Sequence, residues 1–255
     1  MGCIVTTLIV PAAGEGSRLE TSCPKALVDL GGRPLIEWVV SAAQGCVDHV
    51  VVVIQPRHQH FFEEWATGAH VPAELTWAYQ EVPTGSMAAV RIGVDCARRL
   101  GRLKSGVVII WSDQVGVGPS TVRLVSESVD TRNRLLVVPV CEASSPYVWL
   151  RLDGLARIAR VMRARDGDTV PEIGLADLGV FGLSETLALR LLELSDEAGP
   201  IDPTRELDFT YLLPELSRLA DVTLLPNSAL DSELIAVNTP DDLARARDVL
   251  RRDDD

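Results

Sequence analysis

The chain has 255 residues, 47% of them hydrophobic and 24% charged, a length near the upper limit for one hydrophobic core that predicts one large domain. Its formal net charge of −12 excludes the broad positive field that non-specific nucleic-acid binding needs. No apolar stretch is long and uncharged enough to cross a bilayer, so membrane partners are not expected.

Apolar, β-branched runs alternate with helix-like segments through the first half. Residues 4–10 read as the first strand, and a glycine-bearing loop follows it. Residues 34–43 read as a helix with Pro34 at its first position, where a missing N–H costs little. A strand at 50–54, a helix at 58–67, a strand at 75–79, a helix at 87–100, a strand at 107–111, a helix at 120–129 and a strand at 135–140 come next. Several of these strands are almost wholly apolar, as strands covered by helices on both faces are. The alternation predicts the α/β class with a doubly wound, mainly parallel sheet.

The second half is less regular. Residues 147–152 and 155–162 flank Asp153-Gly154 and read as a β-hairpin, a small lobe beside the sheet. Residues 163–172 read as a charged mobile loop, 177–183 as a strand, 185–194 as a helix and 197–204 as another loop. Residues 209–219 read as a helix, 222–225 and 234–237 as short strands, and 240–250 as a closing helix before a solvated tail at 251–255. No internal repeat or linker divides the chain.

Five scattered cysteines, Cys3, Cys23, Cys46, Cys96 and Cys141, form no Cys-x-x-Cys pair. Neither a zinc site nor a disulfide framework is indicated, and the N-terminus carries no basic leader, so a reducing cytoplasm is expected. His58 and His60, two apart on a predicted helix, face different directions and do not suggest a shared metal.

The loop after the first strand, Pro11-Ala12-Ala13-Gly14-Glu15-Gly16-Ser17-Arg18-Leu19, lets backbone N–H groups approach phosphate oxygens. Leu19 stands where a dinucleotide fingerprint would place a third glycine, and the Gly-Lys-Ser/Thr of a Walker A loop is absent. What remains is Gly-x-Gly-x-Arg, with Pro24-Lys25 shortly after. Only Lys25 and Lys104 among 24 basic residues are lysines, so a lysine here is a selected point charge that arginine's planar fork cannot imitate.

Three pieces together, Pro11–Leu19, Pro24-Lys25-Ala26-Leu27 and Leu30-Gly31-Gly32-Arg33-Pro34-Leu35-Ile36-Glu37, resemble the opening signature of the sugar-phosphate nucleotidyltransferases. The likeness is greatest to the N-acetylglucosamine-1-phosphate uridylyltransferase and glucose-1-phosphate thymidylyltransferase branches, with the isoprenoid cytidylyltransferases near. The resemblance implies a Rossmann-like, GT-A-type fold, Mg2+ as cofactor, and an NTP and a phosphorylated small molecule as partners. Assembly into a homo-oligomer is left open. It implies a layout within one domain over 1–255: a nucleotide-binding half at 1–140, a mainly substrate-binding part at 141–237, and a metal-ligand Asn with the last helix at 238–255.

It also implies roles for residues. The loop Ala12, Ala13, Gly14, Glu15 and Gly16 would hold the nucleotide. Arg18 would neutralise the departing pyrophosphate, and Lys25 would bind the phosphates between which the new bond forms; these two are the catalytic candidates. In Gln80-Glu81-Val82-Pro83-Thr84-Gly85, Gln80, Thr84 and Gly85 resemble the thymidylyltransferases' base-reading Gln-x-x-Pro-x-Gly. The uridylyltransferases place their glutamine where this chain has Ala78 and a glycine where it has Pro83, which leaves the nucleobase open. A plain strand-to-helix turn capped by Ser86 is the local alternative.

Asp113, just past an apolar strand, resembles the family's metal-binding Asp, or it caps the turn toward the next helix. Val115 after Gln114 means that no Asp-x-Asp is present. Asn238, in Ile235-Ala236-Val237-Asn238-Thr239-Pro240, resembles the Asn that supplies the second metal contact, while Thr239 can cap the helix starting at Pro240. On the sugar side, Asp177 falls at an asparagine-like place and Glu172 lies near it; both are substrate-binding candidates. Arg163 and Arg165 can meet a phosphate or simply be solvated.

The expected activity is transfer of NMP from an NTP to a sugar 1-phosphate or related phosphorylated polyol, releasing pyrophosphate. A molybdopterin or isoprenoid type of cytidylyltransferase and a non-catalytic nucleotide-sensing module are the rivals. The hexapeptide-repeat acetyltransferase domain that many uridylyltransferases carry is absent from this sequence, so a second activity is not expected.

Overall fold

The structure, a computed structural model, describes residues 6–14, 16, 19, 21, 23–69, 71, 73–129, 134–144, 146–197, 208–226 and 231–253. The first half runs β1 (Thr7–Pro11), a two-strand ribbon β2 (Asp29–Leu30) and β3 (Arg33–Pro34), α1 (Leu35–Ala42), β4 (His49–Ile54), α2 (Gln59–Gly68), β5 (Glu74–Tyr79), α3 (Ser86–Arg99), β6 (Val107–Ile110) and α4 (Pro119–Val129). The second runs β7 (Leu135–Ser144), β8 (Trp149–Leu152), β9 (Ile158–Met162), β10 (Ile173–Asp177), β11 (Val180–Leu183), α5 (Glu185–Glu197), α6 (Leu213–Leu219), β12 (Asp221–Pro226) and α7 (Pro240–Asp253).

An eight-stranded sheet carries the order β10-β7-β11-β6-β1-β4-β5, with β12 on β7. The β6-β1-β4-β5 part is parallel, and β11 and β10 run antiparallel to their neighbours. The period-2 alternation of strand side chains divides the core between the two faces. Ile9, Val51, Val53, Val107 and Ile109 pack with α3, α5 and α6. Leu8, Val10, Val50, Val52, Ile54, Val108 and Ile110 pack with α1, Phe62 of α2 and α4. Helices on both faces explain the continuous apolar strands, and the doubly wound, mainly parallel sheet is the one expected from the alternation.

A third, smaller cluster lies apart from the sheet faces. Leu19, Val28, Leu30, Leu35, Val115, Ile235, Val237 and Ala246 are all buried in it. It joins the stretch after the glycine loop to the turn after β6 and to α7.

The second half departs from expectation in four places. Residues 177–183 are not one strand: the chain breaks at Leu178-Gly179, where Gly179 has φ +68, and the pairing register with β7 changes across the break. Asp177 Oδ1 accepts the Gly179 N–H at 2.9 Å, an Asx turn that supplies a local alternative to the sheet ladder. Residues 234–237 form no strand; Leu234 closes a 3-10 turn that begins at Asp231. The segment after it is tied to a loop, through Gly116 N–H to Ile235 C=O at 3.1 Å and Val237 N–H to Asp113 C=O at 3.0 Å. The tail expected from 251 continues α7 as far as Asp253. Arg163 is not a loop arginine in solvent; it is 1% exposed. Residues 4 and 5 of the first predicted strand and residues 198–204 of the second predicted loop lie outside the described residues.

The β8–β9 hairpin forms as expected and rests on α6, where Ile158 N–H donates to Ser217 Oγ at 2.9 Å. Trp111, Phe181 and Phe209 meet between β6, β11 and the turn before α6, with ring centroids 5.2 to 5.9 Å apart. Phe181 and Phe209 are fully buried. Phe181→Ala, emptying the centre of this cluster, is expected to lower unfolding free energy by about 3–5 kcal/mol, read from the midpoint of chemical denaturation at unchanged slope.

Candidate functional site

Four parallel strands, β1, β4, β5 and β6, end at one edge of the sheet, so the residues that follow them converge there. In open α/β sheets this carboxyl edge is where ligands bind. Ala12 follows β1 and is fixed by its N–H to Val53 C=O at 2.8 Å. Ala13 C=O accepts from Gln55 Nε2 at 2.5 Å. Gln55 is 3% exposed and holds the loop from the neighbouring strand. No motif marks Gln55 in the sequence; its one signal is a lone polar residue between an apolar strand and Pro56.

Gly14 is exposed, and a Cβ there would meet nothing within 4 Å, so the backbone lies open on that side. Gly16 has φ +64, and a Cβ on it would fall 2.6 Å from Lys25 Cβ. Only glycine satisfies both the left-handed backbone and that close approach. Glu15 and Arg18 lie outside the described residues.

Lys25 heads a 3-10 turn, Lys25–Leu27. Its Nζ donates to Asp113 Oδ2 and to Asn238 Oδ1 at 2.8 Å. The Lys25 and Asp113 side chains are 14% and 16% exposed. Three sequence-predicted residues, 213 positions apart at their extremes, therefore meet at one point beside the glycine loop. Asn238 is held by its surroundings as well. Asp242 Oδ2 accepts the Asn238 N–H at 3.0 Å and the Thr239 N–H at 2.8 Å, and Thr239 Oγ1 accepts from Asp242 N at 3.2 Å. This reciprocal cap fixes the start of α7, and the acid in its first turn suits the positive end of the helix dipole.

Gln80 follows β5 and is 3% exposed. Its Nε2 donates to Gly85 C=O at 3.3 Å, closing the loop in which Thr84 N–H reaches Val82 C=O at 2.9 Å. The Gln80 amide nitrogen is thus engaged within the protein. Gly85, at φ 104, precedes α3. Ser86 Oγ does not cap that helix but accepts the Phe209 N–H at 2.9 Å.

The region between β9 and α6 is built around a buried arginine. Arg163 Nη2 donates to Thr210 Oγ1 and pairs with Asp208 Oδ1 at 2.7 Å, and the guanidinium carbon lies 4.9 Å from the Tyr211 ring centre. Burial alone would lower the guanidinium pKa; the Asp208 carboxylate more than reverses that. Asp177 lies at the end of β10, on the same sheet edge, since Trp111 N–H reaches Gly179 C=O at 3.4 Å. Its Oδ2 is shut off from solvent without a hydrogen-bond partner. That burial first, then the Asp208 charge, pushes its pKa up to about 6. Glu172 is exposed and immediately precedes β10. A cavity of about 300 Å3 lined by Arg134, Leu187 and Arg190 lies at the opposite sheet edge, where Leu183 pairs with Val107. No group of three or more metal-ligating His, Cys, Asp or Glu side chains occurs among the described residues. No described helix is long and apolar enough to cross a membrane.

An open α/β sheet with a glycine-rich loop at its carboxyl edge places the chain in the nucleotide-binding α/β class. Residues 8–172 match the family model described as MobA-like NTP transferase domain, and the chain belongs to that nucleotidyltransferase family. It is 26% identical over 251 residues to the bifunctional protein GlmU of Ruegeria sp. (strain TM1040), covering 96% of this chain and 53% of the relative. The GlmU of Paracoccus denitrificans (strain Pd 1222) is 26% identical over 94% of this chain and 51% of the relative. The chain thus spans about half the length of the curated relatives it matches. In fold, it superposes with a TM-score of 0.78 on a putative glucose-1-phosphate thymidylyltransferase from Bacillus anthracis, solved with a sucrose, at 16% identity over 97% of this chain and 96% of the other.

The Asp177 environment has a measurable consequence. A carboxylate whose folded-state pKa is above its unfolded value costs stability when ionised, fully so above the folded pKa and not at all below the unfolded one. Asp177→Asn is therefore expected to raise stability at pH 7 by up to about 3 kcal/mol. The gain over wild type should fade as pH falls from about 6 toward 4, as denaturation curves across that window would show.

Proposed function

We propose that the protein transfers the NMP moiety of an NTP to a sugar 1-phosphate, or to a related phosphorylated polyol, with release of pyrophosphate. The observation that carries this reading is the meeting of Lys25, Asp113 and Asn238 beside the glycine loop. The relatives named GlmU and the thymidylyltransferase-like fold support it.

In this reading backbone N–H groups from Ala12 to Gly16 receive the nucleotide phosphates, as loops of small residues do. Arg18 and Lys25 balance the charge that develops on the pyrophosphate and at the reacting phosphorus. The segment Gln80–Gly85 faces the nucleobase, with Gln80 shaping the loop through Gly85. Asp177 and Glu172 belong to the acceptor side; they stand at the two ends of β10, whose start lies opposite the C-terminal end of β7.

Asp113 and Asn238 fit a hard cation. They offer two oxygen donors at one point, and that point already holds a positive group, the Lys25 ammonium. Magnesium prefers few protein oxygens, with phosphates and waters completing its shell. Bound there, it would act as a Lewis acid on the phosphate oxygens and help align them.

The acceptor's phosphate oxygen attacks the α-phosphorus in line; the bond from that phosphorus to the β-phosphate oxygen breaks, and pyrophosphate leaves. A phosphate monoester is largely dianionic at neutral pH, so the attacking oxygen needs no base. A reducing cytoplasm is the compartment in this reading, supported by the scattered spacing of the five cysteines in the sequence.

The test is pyrophosphate release with ATP, GTP, CTP, UTP and dTTP, each against a panel of sugar and cyclitol phosphates. A preferred NTP and sugar phosphate pair should emerge. Release only with CTP and an isoprenoid phosphate or molybdopterin, run beside the panel, would replace this reading with a cytidylyltransferase, and no release with any pair would favour nucleotide sensing. Lys25→Ala and Asp113→Ala should each lower turnover by about 100-fold or more while circular dichroism stays unchanged; near-normal rates would remove these residues from the reaction.

A further inference from the structure

The Lys25 ammonium lies on the same two oxygens that the proposed reading gives to the cation. Nζ donates to Asp113 Oδ2 and, at 2.8 Å, to Asn238 Oδ1. One carboxylate balances one ammonium, so this point is electrically closed as it stands. A dication arriving with Lys25 in place would face a like charge across shared oxygens. The 14% and 16% exposure of the two ionic side chains leaves little water to screen that repulsion. The Lys25 backbone cannot withdraw as a unit, because Gly16 packs against its Cα and Cβ and its turn is closed by the Val28 N–H on Lys25 C=O at 3.1 Å. Only the end of the side chain is available to move.

Resting on the metal assignment above, we propose that Lys25 is a tethered competitor for the cation seat of Asp113 and Asn238. It opposes firm divalent-ion binding by the protein alone and gives way when NTP phosphates offer it several negative charges instead. Metal and nucleotide then load as one unit, and the move that frees the seat also delivers Lys25 to the phosphates. Because binding couplings are reciprocal, the ion strengthens nucleotide binding by the factor by which nucleotide strengthens ion binding.

Two measurements on the full chain test this without turnover. The first is Mn2+ binding, followed by electron paramagnetic resonance in the absence of nucleotide. Lys25→Met and Lys25→Gln are expected to bind Mn2+ at least about tenfold more tightly than wild type, and adding Asp113→Asn to Lys25→Met should abolish the gain. Equal affinities in wild type and both Lys25 variants would overturn the competition while leaving the metal seat standing. A double variant that binds as tightly as Lys25→Met would overturn the seat itself. The second measurement needs no variant. Lys25 and Lys104 are the only lysines, so acylation by an N-hydroxysuccinimide ester, read by peptide mass spectrometry, has an internal reference. Saturating Mn2+ alone should raise Lys25 labelling severalfold relative to Lys104. An unchanged ratio would mean that ion and ammonium occupy the seat together, and the proposal would fall.

Discussion

A small apolar cluster off the main sheet governs the arrangement of charge in this protein. Leu19, Val28, Leu30 and Leu35 from the N-terminal stretch, Val115 from the turn after β6, and Ile235, Val237 and Ala246 from the last part of the chain bury one another. The cluster is the floor on which Lys25, Asp113 and Asn238 meet. Ion pairing alone does not hold distant segments together, since the cost of taking both charges out of water offsets their attraction. Apolar burial does so at roughly 25 cal/mol per Å2, and the polar contact is then placed by the packing beneath it.

The same division of labour recurs at the other elements of the site. The parallel strands bring four loops to one edge, and a buried amide side chain shapes two of them. Gln55, at the end of β4, holds Ala13, and Gln80 closes its own loop onto Gly85. Buried amides of this kind must find partners, and here their partners are backbone carbonyls of the loops at this edge. A rigid scaffold carrying shaped loops is how preorganised sites avoid reorganisation during a reaction.

The proposed acceptor side follows a different logic. Arg163 lies nearly out of solvent and links β9 to the turn before α6 through Asp208 and Thr210. Phe209 of that turn reaches Ser86 at the start of α3. The hairpin lobe is thereby connected to the helix that follows the proposed base loop. A buried ion pair is weak evidence of stability, because desolvation offsets its Coulomb attraction. Its effect here is to fix orientation, with Asp177 left in a setting that disfavours its charge.

Much of this protein was legible from sequence because the signals are local. Strand and helix periodicity, the small residues of Ala12–Gly16, and Pro at the start of α4 and α7 all act within a few residues, and they sufficed for the α/β class and the sheet. Lys25, Asp113 and Asn238 could be picked out one by one from motifs. Tertiary structure decided what no local signal carries: that those three side chains share one point, that Arg163 is inside rather than in solvent, and that residues 234–237 run beside a loop instead of joining a strand. Each depends on burial against residues far away in the chain, and burial is a property of the packed whole. A charged residue's sequence neighbours say where it can lie, and only its spatial neighbours settle what it faces.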